Sequence, residues 1–442
     1  DGFASSTTWN ATCSNADSNT VFNTGNGPCV AGQAENFTGP YSLSNPFPSG
    51  VVPVFTSAPA GLANNLGTTL NTVLRSQRTP TIYNYNLALE YELPHQVVVT
   101  VGYVGSRGLF LPFGSVDLNQ LDLGTIAKYG ASLCVYTNPS CVNVPNQWAA
   151  IQPPTNQWAG SPTVPLYVAL QKYPQFGNGS FGNGVVVHGY PAGDSEYSSL
   201  QTKVQKRLTN HFTTLATFTW GKIMTDDGNP PLGFVGTHLG AAQDWRNLSY
   251  EHSISPQDVK YQFTGEASYD LPVGRGRAVN LNGISNAALG GWTLNAIAYL
   301  GTGVPIAAPS SGIGQGYFSQ RSNLTCNPSS GAPHTAAAWF NDSCFSIPAS
   351  PFLPGNAPAY LDNVRTMGAR DLDLSIYKTF SFGETKALRF DVSSYNITNR
   401  AQLGYPNVPS VTGATQQGLP FGQITNTINT PRQFQFGARF SF

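Results

Sequence analysis

No stretch of this 442-residue chain carries the run of about 18 apolar residues that a helix needs to cross a bilayer, so a helical membrane span is excluded. Charge is scarce as well: charged residues make up 10% of the chain, against about a quarter in an ordinary soluble domain. The 22 basic and 22 acidic residues balance, which excludes the basic field that a nucleic-acid partner requires. Catalytic patterns are missing too. His95, His188, His211, His238, His252 and His334 are scattered, and neither HExxH nor GxSxG occurs. The chain reads as a non-enzyme with no catalytic residue, no cofactor and no resident metal. Gly312-Ile313-Gly314-Gln315-Gly316 follows no strand-to-helix pattern and is not read as a phosphate loop. Asp226-Asp227, weighed as a calcium site, reads as a solvated loop pair. The opening DGFASSTTWNATC has neither the basic nor the apolar region of a signal peptide, which leaves a removed leader or a longer parent chain.

What is present is alternation. In RQFQFGARFSF, from Arg432 to Phe442, the residues Phe434, Phe436, Ala438, Phe440 and Phe442 alternate with Gln433, Gln435, Gly437, Arg439 and Ser441. A period of two sends these sets to opposite faces of a strand. A soluble sheet lying on a core can show the same pattern. Bare alternating phenylalanines on a frayed terminus suit a membrane strand better, apolar toward lipid and polar toward a lumen.

The pattern recurs along the chain. Residues 1–81 lack period and read as a loop region. Tyr83, Tyr85, Leu87, Leu89, Tyr91 and Leu93 then alternate with polar neighbours, turn at Pro94-His95-Gln96, and return as Val97, Val99, Val101 and Tyr103. Leu200 and Val204 oppose Ser199, Gln201, Lys203 and Gln205, with Phe212, Ala216, Phe218 and Trp220 on the return. The cleanest segment, Val259–Leu271, sets Tyr261, Phe263, Gly265, Ala267 and Tyr269 against Lys260, Gln262, Thr264, Glu266 and Ser268. A short apolar connection leads to Trp292, Leu294, Ala296, Ala298 and Leu300; Leu372, Leu374 and Ile376, then Leu388, Phe390 and Val392, complete the set.

This makes about nine strands of about ten residues, the length a tilted strand needs to cross a bilayer. Connections alternate between short turns and long loops at 105–195, 221–258, 301–369 and 397–431. That asymmetry marks an antiparallel up-and-down transmembrane β-barrel with long extracellular loops, whereas a sandwich spaces its turns more evenly. Nine strands is odd and closed single-chain barrels are even, so residues 82–442 are expected to form part of a larger barrel whose missing strands precede Asp1. A missed strand at Val51–Phe55 is the plainer alternative.

The six cysteines fall in close pairs, Cys13 with Cys29, Cys134 with Cys141 and Cys326 with Cys344, in Gly/Asn/Pro-rich surroundings. An even number and loop context favour three sequential disulfides and an oxidising compartment; no CxxC spacing supports zinc. Lys203, Glu266, Arg389, Asp391 and Arg439 fall on the polar sets and are expected to face the lumen, pairing and hydrating there. Trp9, Trp148, Trp158, Tyr190, Trp245 and Trp339 dot the loops, where they either contact a ligand or pack loop on loop.

Five blocks in order carry a resemblance: Asn84–Gly108, Tyr197–Lys222, Asp258–Arg277, Gly290–Pro305 and Phe421–Phe442. Together they resemble the C-terminal barrel half of TonB-dependent, Oar-like outer-membrane receptors of the kind abundant in Acidobacteria. The resemblance implies a 22-stranded barrel in the bacterial outer membrane, a plug domain and energised uptake of a small ligand such as an oligosaccharide or peptide. The implied partners are outer-membrane lipid, the missing N-terminal barrel half and plug, and the TonB complex indirectly. Phe434, Phe436, Phe440 and Phe442 resemble the signal read by the barrel assembly machinery. No plug and no TonB box lies in this sequence. The alternative expectation is a surface or extracellular assembly protein whose open strand edges pair between chains.

Overall fold

The computed structural model describes residues 66–442, apart from 76, 134–141, 151–157, 159, 178–183, 210, 227–241, 312–319, 350–352, 384, 409 and 412–420. Nine long strands dominate: β1 (Thr81–Leu93), β2 (Val97–Asp117), β3 (Val185–Thr209), β4 (Phe212–Thr225), β5 (Tyr261–Asp270), β6 (Trp292–Gly301), β7 (Arg370–Phe382), β8 (Lys386–Tyr395) and β9 (Gln433–Ser441). Each pairs antiparallel with its sequence neighbour, so the sheet is a meander running from β1 to β9. Three short helices lie in the connections: α1 (Leu123–Tyr129), α2 (Leu166–Ala169) and α3 (Gly283–Leu289). Among the described residues, no helix is long and apolar enough to span a membrane.

Register carries the alternation across all nine strands. Leu89 faces Val101, Val101 faces Thr202, and Thr202 faces Phe218. Phe218 faces Phe263, Phe263 faces Leu300, Leu294 faces Ile376, Ile376 faces Val392, and Val392 faces Phe436. One face of the sheet is therefore largely apolar from edge to edge, and among the described residues nothing covers its edge strands: Leu89 is 73% exposed and Phe436 77%. A soluble fold would bury such a face against a second layer.

Aromatic residues bound this face at both ends. At the end bearing the long connections, Tyr85 stacks with Tyr103 at 6.2 Å and Trp220 with Tyr261 at 6.3 Å. At the end bearing the short turns, Phe212 meets Tyr269 edge-on at 6.1 Å and Phe380 meets Phe390 likewise at 6.1 Å. From Tyr85 to Leu93, from Val97 to Gly105 and from Tyr261 to Tyr269 each stretch holds nine residues, within the roughly 9–11 residues of a tilted crossing strand. Charge returns on the same face just past the upper girdle. Arg107 pairs there with Asp194 at 2.5 Å and Glu196 at 2.9 Å, and Lys222 with Asp362 at 3.3 Å. Gly105 sits inside this girdle because the Tyr85 ring lies over it; a Cβ there would meet that ring at 2.1 Å.

The short turns follow from local chemistry. His95 and Gln96 take positive φ of 67° and 58° between β1 and β2, and Gly383 takes 73° between β7 and β8, the left-handed geometry that tight hairpins require. Strand ends depart from expectation at the long-connection end. β2 runs on to Asp117 and β3 starts at Val185, both well inside the segment 105–195 read as loop. Bulges between Leu109 and Leu111 and between Leu111 and Pro112 break the period there, so alternation no longer marks the strand. Leu70–Thr72, within the stretch read as loop, pairs parallel with Val185–Val187. The link between β5 and β6, read as a short connection, contains α3. Val51–Phe55, Cys13, Cys29, Cys134 and Cys141 lie outside the described residues.

The placement of the apolar face generates a test. Val101→Arg, at the centre of the band on β2, is expected to destabilise the inserted protein by about 2–4 kcal/mol. Gln201→Arg, on the opposite face of β3, is expected to cost far less. Reversible denaturant unfolding from lipid vesicles measures both.

Candidate functional site

Buried apolar clusters lie in the long connections rather than against the sheet's apolar face. Leu121, Ile126, Leu133, Val164, Tyr167 and Val168 form one within the β2–β3 connection, where Asp122 caps α1 by accepting from the Thr125 N–H at 2.9 Å. Ile306, Trp339, Phe340, Phe345, Leu361 and Val364, from the β6–β7 connection, close on Ile424 from the β8–β9 connection. A third joins Phe113, Val116 and Val187, on the extensions of β2 and β3, to Ala242. The long connections are thus a folded cap.

Buried polar groups tie its parts together. Gln243, with no solvent exposure, donates to Gly355 O at 3.1 Å and accepts from the N–H of Gly355 at 3.1 Å and of Arg321 at 2.8 Å. Its own carbonyl accepts from Gln120 Nε2 at 2.7 Å, and its N–H donates to Glu251 at 2.8 Å. Glu251 in turn forms a buried ion pair with Arg321 at 2.7 Å. Three connections, β2–β3, β4–β5 and β6–β7, therefore meet at one residue, the first through its backbone carbonyl and the last through its side-chain amide. Arg365 repeats the device: it pairs with buried Asp258 at 2.7 Å, while Asp258 accepts from Ile223 N–H on β4 at 2.6 Å. A buried charge held this way destabilises strongly when its partner is removed.

The sequence-selected residues fall as follows. Cys326 and Cys344 form a disulfide, which pins the Asn323–Leu324 and Phe345–Ser346 hairpin inside the cap. Trp339 is buried and donates to Arg365 O at 2.6 Å; Trp245 packs edge-on against Tyr190 at 5.4 Å and donates to Asp117 O at 2.9 Å. These two pack loop on loop. Asp226, weighed for calcium, accepts from or pairs with His252 Nδ1 at 2.7 Å, and burial holds its carboxyl above the usual range. Asp227 lies outside the described residues. Among the described residues, no group of three His, Cys, Asp or Glu side chains is placed to hold a metal.

Lys203, Glu266, Arg389, Asp391 and Arg439 sit at positions of the polar face, alternating with Val204, Ala267, Phe390, Val392 and Phe440. Arg389 stands directly opposite Arg439 in the β8–β9 register, lies over the Tyr377 ring at 3.9 Å and comes within 3.9 Å of Asp391. Gly437 faces Asp391 and leaves room for its carboxylate; a Cβ would sit 2.5 Å from one oxygen. Lys203 and Glu266 are on strands separated by β4, so register does not oppose them. The rest of the face is polar, with Asn295 donating to Ser375 at 3.3 Å and Thr293 to Asp270 at 2.7 Å. Sequence reading missed Gln243, Arg321, Glu251 and Asp258. Gln243, Glu251 and Asp258 lie in the aperiodic β4–β5 connection and Arg321 in the β6–β7 connection, and only the folded cap brings the ion-pair partners together.

An apolar face nine residues deep, girdles at both ends and a folded cap on one end define a transmembrane β-barrel sheet. The chain belongs to the outer membrane beta barrel domain family, which it matches over residues 3–435, and its strands belong in an outer membrane. No curated protein matches the chain. Among solved structures it is similar to the outer membrane transporter YddB from Escherichia coli, with 8% identity and a TM-score of 0.40 over 85% of this chain. The match spans 35% of the YddB chain, and similarity at this level carries no argument about function.

Two outcomes test the cap. Arg321→Met leaves Glu251 buried without its partner and is expected to cost about 3–5 kcal/mol, read as loss of protease resistance in the cap. Pairing it with Glu251→Leu recovers part of that loss. Reducing Cys326–Cys344, a separation of 18 residues, is expected to cost about 3 kcal/mol and to expose the same region to protease.

Proposed function

We propose that this chain is the C-terminal part of the barrel of a TonB-dependent, Oar-like outer-membrane receptor. In this reading it supplies strands and an external cap to ligand capture and uptake and performs no catalysis. The observation that carries the reading is the cross-braced cap set on one end of a membrane sheet whose edge strands, among the described residues, each pair on one side only. Binding residues favour loops held by a rigid scaffold, and a cap with its own cores and buried ion pairs suits a pre-formed surface for an oligosaccharide or peptide.

The edges support further strands. Among the described residues, β1 pairs only with β2 and β9 only with β8. With nine antiparallel strands, β1 and β9 run the same way, so closing them on each other would create a parallel seam. An all-antiparallel barrel needs an odd number of added strands, which a missing N-terminal barrel half would supply together with the plug and the link to the TonB complex. In the same reading, Phe434, Phe436, Phe440 and Phe442 are the assembly machinery's signal, the short turns are periplasmic, and the five polar-face charges line the lumen. The open edges also suit a surface assembly in which strands pair between chains.

The intact mass of the natural species in outer-membrane extracts separates the two. The receptor reading expects a species of more than twice this chain's 47.1 kDa, with heat-modified migration in detergent. A species near 47.1 kDa that forms sheets or filaments without lipid would replace it with the assembly reading.

A further inference from the structure

The connection from β5 to β6 is built differently from the other three at its end of the sheet, and it holds α3 on the apolar side. Lys378 and Trp292 face one another in the β6–β7 register, at positions of the same face as Leu294 and Ile376. Both turn toward the last carbonyls of α3. The Lys378 ammonium donates to Asn286 O at 3.0 Å and Ala287 O at 2.5 Å, and the Trp292 indole N–H donates to Ala288 O at 2.9 Å. A cation at a helix C-terminus complements its dipole. The docking therefore comes from the hydrocarbon side of the sheet and not from the polar side.

The rest of the connection is fixed as firmly. Asn286 Oδ1 accepts from Arg275 N–H at 2.8 Å, Gly274 N–H donates to Val279 O at 2.9 Å, and Gly291 N–H donates to Val273 O at 3.1 Å. Yet this ordered segment turns its apolar side chains outward: Ile284 is 89% exposed, Leu289 62% and Val279 52%. Lys206, Arg275, Arg277 and Lys386 lie at the same end of the sheet, with the acids Glu92 and Asp270, the latter 3.8 Å from Arg277. Exposed apolar side chains on a helix held at the end of a lipid-facing band, tethered by Trp and Lys with cations at the same end, are the makeup of an interfacial membrane anchor.

We infer that α3, together with Val279, lies in the headgroup–acyl boundary of the leaflet at the short-turn end, with Ile284 and Leu289 in the acyl region and Arg275 among anionic phospholipid headgroups. It fixes the depth of the barrel wall in that leaflet. The inference rests on the outer-membrane placement of the sheet and is independent of ligand uptake, so its failure leaves the receptor reading untouched.

The test uses the natural full-length protein in vesicles of phosphatidylethanolamine and phosphatidylglycerol, with a polarity-sensitive fluorophore on Ile284→Cys and, separately, on Leu289→Cys. Both sites are exposed, so the substitutions leave the fold intact. The expected result is blue-shifted emission at both sites, quenched at least twofold more by nitroxide lipids labelled near the headgroup than by those labelled at the chain end. Water-like emission quenched by aqueous iodide would overturn the inference. So would blue-shifted emission that neither lipid quenches, which would mean a protein partner covers the helix.

Discussion

Backbone hydrogen bonding in hydrocarbon is the constraint on which this architecture depends. An N–H or C=O that enters a bilayer finds no water, and each one left unpaired costs several kcal/mol. The meander from β1 to β9 pairs these groups strand by strand, and the period of two then decides which side chains meet lipid. The constraint also explains why the edge strands matter more here than in a soluble sheet. Their outward backbone groups require a partner strand as strictly as the interior ones do.

From this follows an inverted distribution of apolar residues. The largest apolar surfaces of the sheet point away from the protein, while the buried clusters sit in the connections at one end. The two halves of the molecule therefore obey different rules. The sheet is stabilised by its ladder and by lipid. The cap behaves as a small soluble protein, with apolar cores, a disulfide and buried ion pairs such as Arg321–Glu251. Gln243 shows how the cap acquires unity: its side-chain amide holds Gly355 and Arg321 of the β6–β7 connection while its backbone carbonyl accepts from Gln120 of the β2–β3 connection.

Alternation made the membrane part legible. Strands β5 and β9 fall within two residues of where their period begins and ends, because in each one face is wholly apolar and the register cannot slip without reversing it. Legibility fails where the strands leave the bilayer. Beyond Leu109 and before Ser195 neither face has to be apolar, bulges shift the phase, and β2 and β3 continue unseen. α3 was hidden because its seven residues are too few for helical periodicity to declare itself. The cap's ion pairs were hidden because nothing local distinguishes Arg321 or Asp258 from a solvated loop charge. The polar-face charges could be assigned a face from parity, while Arg389 stacking on Tyr377 needed the register of β7 against β8.

The measurement that bears most directly on the central claim is a spin-label scan along β5 in the reconstituted protein, one residue at a time from Tyr261 to Tyr269, with relaxation by oxygen compared against relaxation by a water-soluble nickel complex. The account predicts a period of two, with labels at 261, 263, 265, 267 and 269 relaxed by oxygen from the bilayer and those at 262, 264, 266 and 268 relaxed by the aqueous reagent. Uniform aqueous accessibility on both faces, or protection of the odd set from oxygen, would contradict it.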